Sequence, residues 1–99
     1  MSSAEQTIVE INDPAAPVGL MPAFTIREGA IAASIWRRQA PSGSAYYEFS
    51  LSRAWKSATT GKSGYSRNFL ARNRDELARV IDLAVAWIEE HQYDVEAAA

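Results

Sequence analysis

The 99-residue chain contains no cysteine. Disulfides and thiolate metal sites are therefore excluded, and a reducing cytoplasm is compatible with the composition. Histidine occurs once, at His91, so neither a His-based metal site nor a Ser–His relay is expected. No metal and no cofactor is implied. No apolar run approaches the ~20 residues that a spanning helix needs, and no membrane partner is expected. The first residues carry acids rather than a basic stretch before an apolar block, which does not fit a secretory leader. Paired carboxylates, or a histidine with a partner in a cleft, would suggest general acid–base chemistry. Here the acids cluster on the polar side of a helical pattern, and His91 near its end reads as a dipole partner or an exposed residue. The chain gives no reason to expect an enzyme or a small-molecule substrate.

What is present is a core-forming composition. Hydrophobic residues make up 47% of the chain, enough for one small domain. A domain of this size leaves apolar surface uncovered, so a homodimer is expected. The formal net charge of -2 hides a strong asymmetry. Residues 1–22 hold three acids and no base. Residues 23–73 hold eight bases (Arg27, Arg37, Arg38, Arg53, Lys56, Lys62, Arg67, Arg72) against Glu28 and Glu48, a net of +6. Residues 74–99 hold two bases against seven acids, a net of -5. A basic centre between acidic ends points to a polyanionic partner for the centre.

Residues 1–22 combine small polar residues with Pro14, Pro17, Pro22 and Gly19. They read as a flexible acidic arm in which Ile8, Val9 and Ile11 can dock weakly. From Phe24 the period becomes two: Ile31, Ala33 and Ile35 fall on one face, and Ala32, Ser34 and Trp36 on the other. Gly29 marks a bulge or bend in one long strand, or a turn between two shorter ones. "QAPSGS" at 39–44 reverses the chain. In "AYYEFSLSRAWK", Tyr47, Phe49, Leu51, Arg53 and Trp55 share one face, and Tyr46, Glu48, Ser50 and Ser52 the other. "SATTGKSG" is a second loop, and "YSRNFL" a third short strand with Tyr65, Arg67 and Phe69 on one face. Asn73 then suits an N-cap, with Asp75 and Glu76 in the first turn. Leu77, Val80, Ile81, Ala84, Val85 and Ile88 recur at helical steps to about His91, with Trp87 off the centre of the stripe. Strands followed by one long C-terminal helix define an α+β class.

Gly61-Lys62-Ser63 has the look of a phosphate-binding loop, but that loop needs a glycine five positions earlier and a helix immediately after. Position 56 is Lys and the following segment reads as a strand. A glycine-rich hairpin is the better reading.

The strongest functional signal is the interleaving of bases with aromatics. Residues 23–73 contain eight of the ten aromatics, beside Arg37, Arg38, Arg53, Lys56, Lys62 and Arg67. Cations following phosphates while aromatic faces stack on bases is how single-stranded nucleic acid is held. Strands favour aromatics in any case, and Phe49 and Leu51 read as core. Trp36 and Trp55 suit either core or ligand. Arg53, on the face of Phe49 and Trp55, requires an acid or an anion, and the anion is favoured here.

In their order, "FTIREGAIAASIW", "YYEFSLSRAWK", a loop with "GKSGYS" and "RDELARVIDLAVAWI" resemble the positive cofactor four family, single-stranded DNA-binding transcriptional coactivators. The resemblance spans roughly residues 23–92. It implies a curved antiparallel sheet of about four strands followed by one long helix, two chains pairing through their helices, and a channel for single strands. By position, Trp55 matches a base-stacking aromatic late in the long strand. Lys56, Lys62 and Arg67 match basic residues around the next hairpin, and Arg27 a basic residue in the first strand. Trp36 and the Arg37–Arg38 pair have no counterpart, and their role rests on charge and stacking. The expected nucleic-acid set is Arg27, Trp36, Arg37, Arg38, Arg53, Trp55, Lys56, Lys62, Tyr65 and Arg67.

The helix supports pairing independently: Leu77, Ile81, Ala84 and Ile88 can pack on the chain's own sheet, leaving Val80, Val85 and Trp87 for a second surface. The expected interface comprises Val80, Ala84, Val85, Trp87 and Ile88. The domain plan is an arm at 1–22, a nucleic-acid-binding domain at 23–92 and a frayed tail at 93–99. The leading expectation is a homodimeric, largely sequence-independent single-stranded DNA-binding protein, cytoplasmic and nucleoid-associated, serving transcription regulation, replication or recombination. The alternative is a small α+β protein–protein interaction module binding an acidic partner.

Overall fold

The computed structural model describes residues 7–10 and 21–98. Five antiparallel strands, β1 (Thr7–Glu10), β2 (Phe24–Glu28), β3 (Ile31–Gln39), β4 (Ala45–Lys56) and β5 (Ser63–Ser66), lie in sequence order in one open sheet. A 3-10 turn, Ala71–Asn73, leads into α1 (Arg74–Ala98), the single α-helix among the described residues. The class is α+β. The four strands from Phe24 onward match the sequence reading in number and order, with β5 at Ser63–Ser66 rather than over "YSRNFL", and Thr7–Glu10 adds an edge strand from within the acidic arm. The rest of that arm, Ile11 included, lies outside the described residues.

Each turn follows from its residues. Gly29 takes a φ of +60° in a tight turn that pairs Glu28 with Ile31, so β2 and β3 are two strands rather than one bulged strand. The Glu76 carboxylate lies against Gly29, where an added Cβ would collide with it. Gly43, at φ +96°, closes the β3–β4 loop through Gly43 N–H to the Ala40 carbonyl at 2.8 Å.

Registry divides the strands between two faces. Ile26 meets Ala33, Ala33 meets Leu51 and Ile35 meets Phe49 on the face that α1 covers. Thr25 meets Ser34, Ser34 meets Ser50 and Ala32 meets Ser52 on the opposite face, which no helix covers among the described residues and which is called the helix-free face. The β2 and β3 residues Ile26, Ile31, Ala33 and Ile35 are fully buried under the helix, whereas Tyr47, Phe49 and Leu51 of β4 are only half-buried. Strand β5 pairs with β4 only from Arg53 to Lys56. Among the described residues, Ala45–Ser52 therefore forms an open edge.

The helix phase differs from the sequence reading. Val80, Ala84 and Trp87 are its buried contacts with the chain's own sheet, and Leu77 and Ile88 pack beside them. Trp87 stacks on Phe24 (centroids 5.2 Å), meets Tyr47 edge-on (5.1 Å) and stacks on His91 (3.9 Å). Four of the five residues expected at a dimer interface are thus spent wholly or largely on the core, and Val85 alone of that set is exposed, at 40%. The cause is Trp87, whose large ring captures the Phe24–Tyr47 notch and rotates the stripe onto itself.

Both helix ends also depart from expectation. Asn73 is buried, but its Oδ1 reaches back to accept from the Leu70 N–H (2.9 Å) while Nδ2 donates to Glu76 Oε1 (3.2 Å). It caps the entering turn rather than the helix amides. The helix continues past His91 to Ala98, so His91 lies inside it. Its Nδ1–H donates to the Trp87 carbonyl at 2.7 Å and its ring is half-buried, not a terminal dipole partner. No helix among the described residues is long and apolar enough to cross a membrane.

This phase is testable by chemical denaturation: Trp87→Ala should cost about 3–5 kcal/mol, while Val85→Ala should stay within about 0.5 kcal/mol.

Candidate nucleic-acid interface

The segment that suggested a nucleotide pocket is a hairpin loop, Ser57–Lys62, between β4 and β5. Its amides are used internally. Ser57 N–H donates to the Lys62 carbonyl (2.7 Å), Gly61 N–H to the Ser57 carbonyl (2.9 Å), Thr60 N–H to Ser57 Oγ (3.2 Å) and Lys62 N–H to Thr60 Oγ1 (3.2 Å). A phosphate cradle needs such amides free and convergent. What the loop offers is the Lys62 side chain at the tip of the sheet.

Alternation and registry settle which expected site residues share a surface. On the helix-free face lie Arg27 of β2, Trp36 and Arg38 of β3, Lys56 of β4 and Tyr65 of β5. Arg67, just past β5, joins them by lining a hollow with Trp36, Arg38, Glu48, Phe49 and Ser50, of about 260 Å³. A second hollow of about 330 Å³ is walled by Pro22, Arg27 and Tyr65 over a floor of Thr25, Ala32, Ser34 and Ser52. Small residues at the centre of the face make it recessed, and long ones rim it.

Arg37, Arg53 and Trp55 have the opposite parity and belong to the helix side. Arg53 Nε donates to the Asn68 carbonyl at 2.9 Å, an acceptor that the sequence reading did not name. That carbonyl is available because the chain leaves the sheet after Ser66, in a turn closed by Asn68 N–H to Ser66 Oγ (3.0 Å). The strand expected over "YSRNFL" is therefore Ser63–Ser66. Tyr65 and Arg67 stay on the helix-free side while Phe69 turns in to pack on the core. Trp55 is 40% exposed and pairs with Gly64, whose missing side chain leaves room for the indole.

Two contacts on the helix-free face organise it. Trp36 Nε1–H donates to Ser50 Oγ at 3.1 Å, which fixes the indole against the sheet. The Arg38 guanidinium sits 5.1 Å from the Trp36 ring centroid and its Nε donates to Glu48 Oε1 at 2.6 Å. Glu48 and Ser50 were not among the expected site residues. The alternation of β4 already placed both on the face of Tyr46; what was missing was the pairing of β3 with β4, which sets Glu48 opposite Trp36.

The fold and this surface define a class: an α+β open sheet with one helix-covered face and one recessed, basic–aromatic face. Comparison with protein-family models, curated proteins and solved structures finds no match for the chain. The resemblance to positive cofactor four therefore rests on the residue pattern alone.

Because the Trp55 ring rests where a Cβ of residue 64 would stand, Gly64→Ala should displace it. A red shift in tryptophan emission is expected, with stability changed by no more than about 1 kcal/mol since an exposed ring can swing aside.

Proposed function

We propose that the protein binds single-stranded DNA, without strong sequence preference, across the helix-free face of its sheet, in the manner of the coactivator family it resembles. Transcription regulation, replication and recombination all present such a substrate. The observation that carries the reading is the grouping of Trp36 and Tyr65 with Arg27, Arg38, Lys56 and Arg67 around a floor of hydroxyl-bearing and small residues. Cations neutralise phosphates and set the salt dependence. The exposed Tyr65 ring, and the half-buried Trp36 ring once Arg38 is drawn off it, would stack on bases whatever their identity, and serine and threonine hydroxyls both donate and accept, so they tolerate any base edge. An acidic protein partner would use the same cations but would have no need of recessed hollows bounded by rings.

The test is titration with oligo-dT by fluorescence at several salt concentrations, with single-stranded RNA and duplex DNA alongside. Binding should weaken steeply with salt, and Arg67→Ala and Lys62→Ala should each make the log–log slope shallower by up to about 0.7. Trp36→Ala should cost about 1–3 kcal/mol of binding, whereas Trp55→Ala, on the other face, should be near neutral. Absence of oligo-dT binding at low salt overturns the proposal, and preference for an acidic polypeptide would favour the interaction module.

We further infer a homodimer, through a surface different from the one the helical stripe suggested. Arg79, whose Nε lies 3.6 Å from Glu28 Oε1, marks the helix flank toward β2. By helical spacing Ile81, Val85 and Ile88 lie on the other flank, toward the half-buried Tyr47, Phe49 and Leu51 and the open edge of β4. A second copy would cover this continuous apolar band. Mass measured in solution should be that of a dimer, and Val85→Glu should shift it toward monomer without unfolding the chain. A monomer mass independent of concentration would remove the inference.

A further inference from the structure

Arg38, on the helix-free face, is held by the Glu48 carboxylate. The pair is short, 2.6 Å, yet both side chains are solvent-accessible, at 34% for Arg38 and 50% for Glu48. Exposed pairs of this kind contribute little net stability, so the contact is easily exchanged. The guanidinium also covers the Trp36 ring at 5.1 Å. Arg67 lines the same hollow and makes no ion pair with a described residue. The hollow is thus lined by one carboxylate, Glu48, two arginines and an indole that Ser50 fixes. Carboxylate and phosphate oxygens both accept from a guanidinium in a two-pronged way, and Glu48 meets Arg38 through Nε to Oε1, so a phosphodiester that engages the fork in full can take its place.

We propose that Glu48 is a built-in placeholder for phosphate: the hollow of Trp36, Arg38, Ser50 and Arg67 takes one phosphodiester of a single strand, which displaces Glu48 from Arg38. This rests on the reading of the helix-free face as a nucleic-acid surface and adds a residue that weakens binding on purpose. When phosphate takes Arg38, the released Glu48 carboxylate is left as a fixed negative charge and draws a cation back. Each binding event therefore releases fewer counterions than the contacts alone would release, which softens both affinity and salt dependence. Ligands that offer only a weak acceptor do not displace the carboxylate. Ring stacking on Trp36 is gated by the same exchange, because the guanidinium that covers the indole is the group the phosphate engages.

The experiment compares oligo-dT binding by the natural chain, Glu48→Gln, Glu90→Gln and Arg38→Ala with and without Glu48→Gln, across a salt series. Glu90→Gln removes the same charge from an exposed site on the helix, remote from the hollow. Thermal melts check that each variant is folded; an exposed glutamate tolerates the change. Glu48→Gln should tighten binding about two- to fivefold relative to Glu90→Gln, the range an exposed ion pair spans. Its log–log salt slope should steepen by up to about 0.7, one single-strand phosphate's worth. In the Arg38→Ala background the gain should vanish, since the two residues then no longer interact. If the natural chain binds but Glu48→Gln matches Glu90→Gln, the placeholder falls and the binding surface stands. Weaker binding by Glu48→Gln also overturns it, for Glu48 would then be positioning Arg38. If only Glu48→Gln binds, the placeholder stands and the function as stated falls. If neither binds, both fall.

Discussion

One helix can cover only one face of a sheet, and the remaining features of this protein follow from that inequality. Side chains alternate along each strand, so every residue is assigned to the covered or the open side by its position. Ile26, Ile31, Ala33 and Ile35 go under the helix and are fully buried. Thr25, Ser34, Ser50 and Ser52 go to the other side, where Thr25 is buried, Ser50 Oγ accepts from Trp36 Nε1–H, and Ser34 and Ser52 are partly open to solvent. A middle of leucine and valine would have demanded a partner layer. The small polar middle instead leaves a recess, and the long residues Arg27, Trp36, Arg38, Tyr65 and Arg67 stand around it.

The helix is seated at two points. Trp87 lies between Phe24, Tyr47 and His91. Nearer the start of the helix, Glu76 reaches the β2–β3 turn at Gly29 and is itself held by Asn73 Nδ2 at 3.2 Å. An aromatic of this kind buries on the order of 150–250 Å², more than any of the aliphatic residues beside it on the stripe, so its notch decides the rotation of the helix. That rotation presses Val80 and Ala84 into the sheet and leaves Ile81 and Val85 on a flank. The apolar surplus of the helix is therefore real but displaced sideways, toward the half-covered part of β4.

The division of faces was legible in the sequence because a period of two in "AYYEFSLSRAWK" and "IAASIW" admits no other assignment. The turn at "QAPSGS" and the hairpin at "TTGKSG" were legible for the same reason: their residues adopt turns, and the flanking periods change there. Registry was not legible. Whether Trp36 faces Glu48, or a neighbour two residues away, depends on how many residues the β3–β4 loop consumes, and composition does not fix that number. The phase of the helix was obscured by treating every apolar residue alike, when Trp87 outweighs Val85. The extent of β5 was misread because "YSRNFL" alternates as well as a strand does, while Ser66 turns the chain out of the sheet by accepting from the Asn68 N–H. Arg53 illustrates a general limit: a backbone carbonyl, here that of Asn68, is an acceptor that no residue identity announces.

The same lesson applies to charge. Residues 23–73 carry a formal surplus of bases, but the structure does not offer them equally. Arg53 is committed to a carbonyl at 2.9 Å and Arg38 to a carboxylate at 2.6 Å. Lys56, Lys62 and Arg67 form no ion pair with a described residue, and all three lie on or beside β5 and the hairpin that leads into it. Affinity for a polyanion depends on cations that can exchange a counterion for a phosphate, rather than on formal charge. The effective positive field of this surface is therefore smaller than its composition suggests and is concentrated at the β4–β5 end. A strand of nucleic acid drawn to that end would meet Tyr65 first and the Trp36–Arg38–Glu48 cluster farther along the same face. On the proposed reading the placement gives the surface a direction: electrostatic capture at the hairpin would precede the exchange of Glu48 for phosphate.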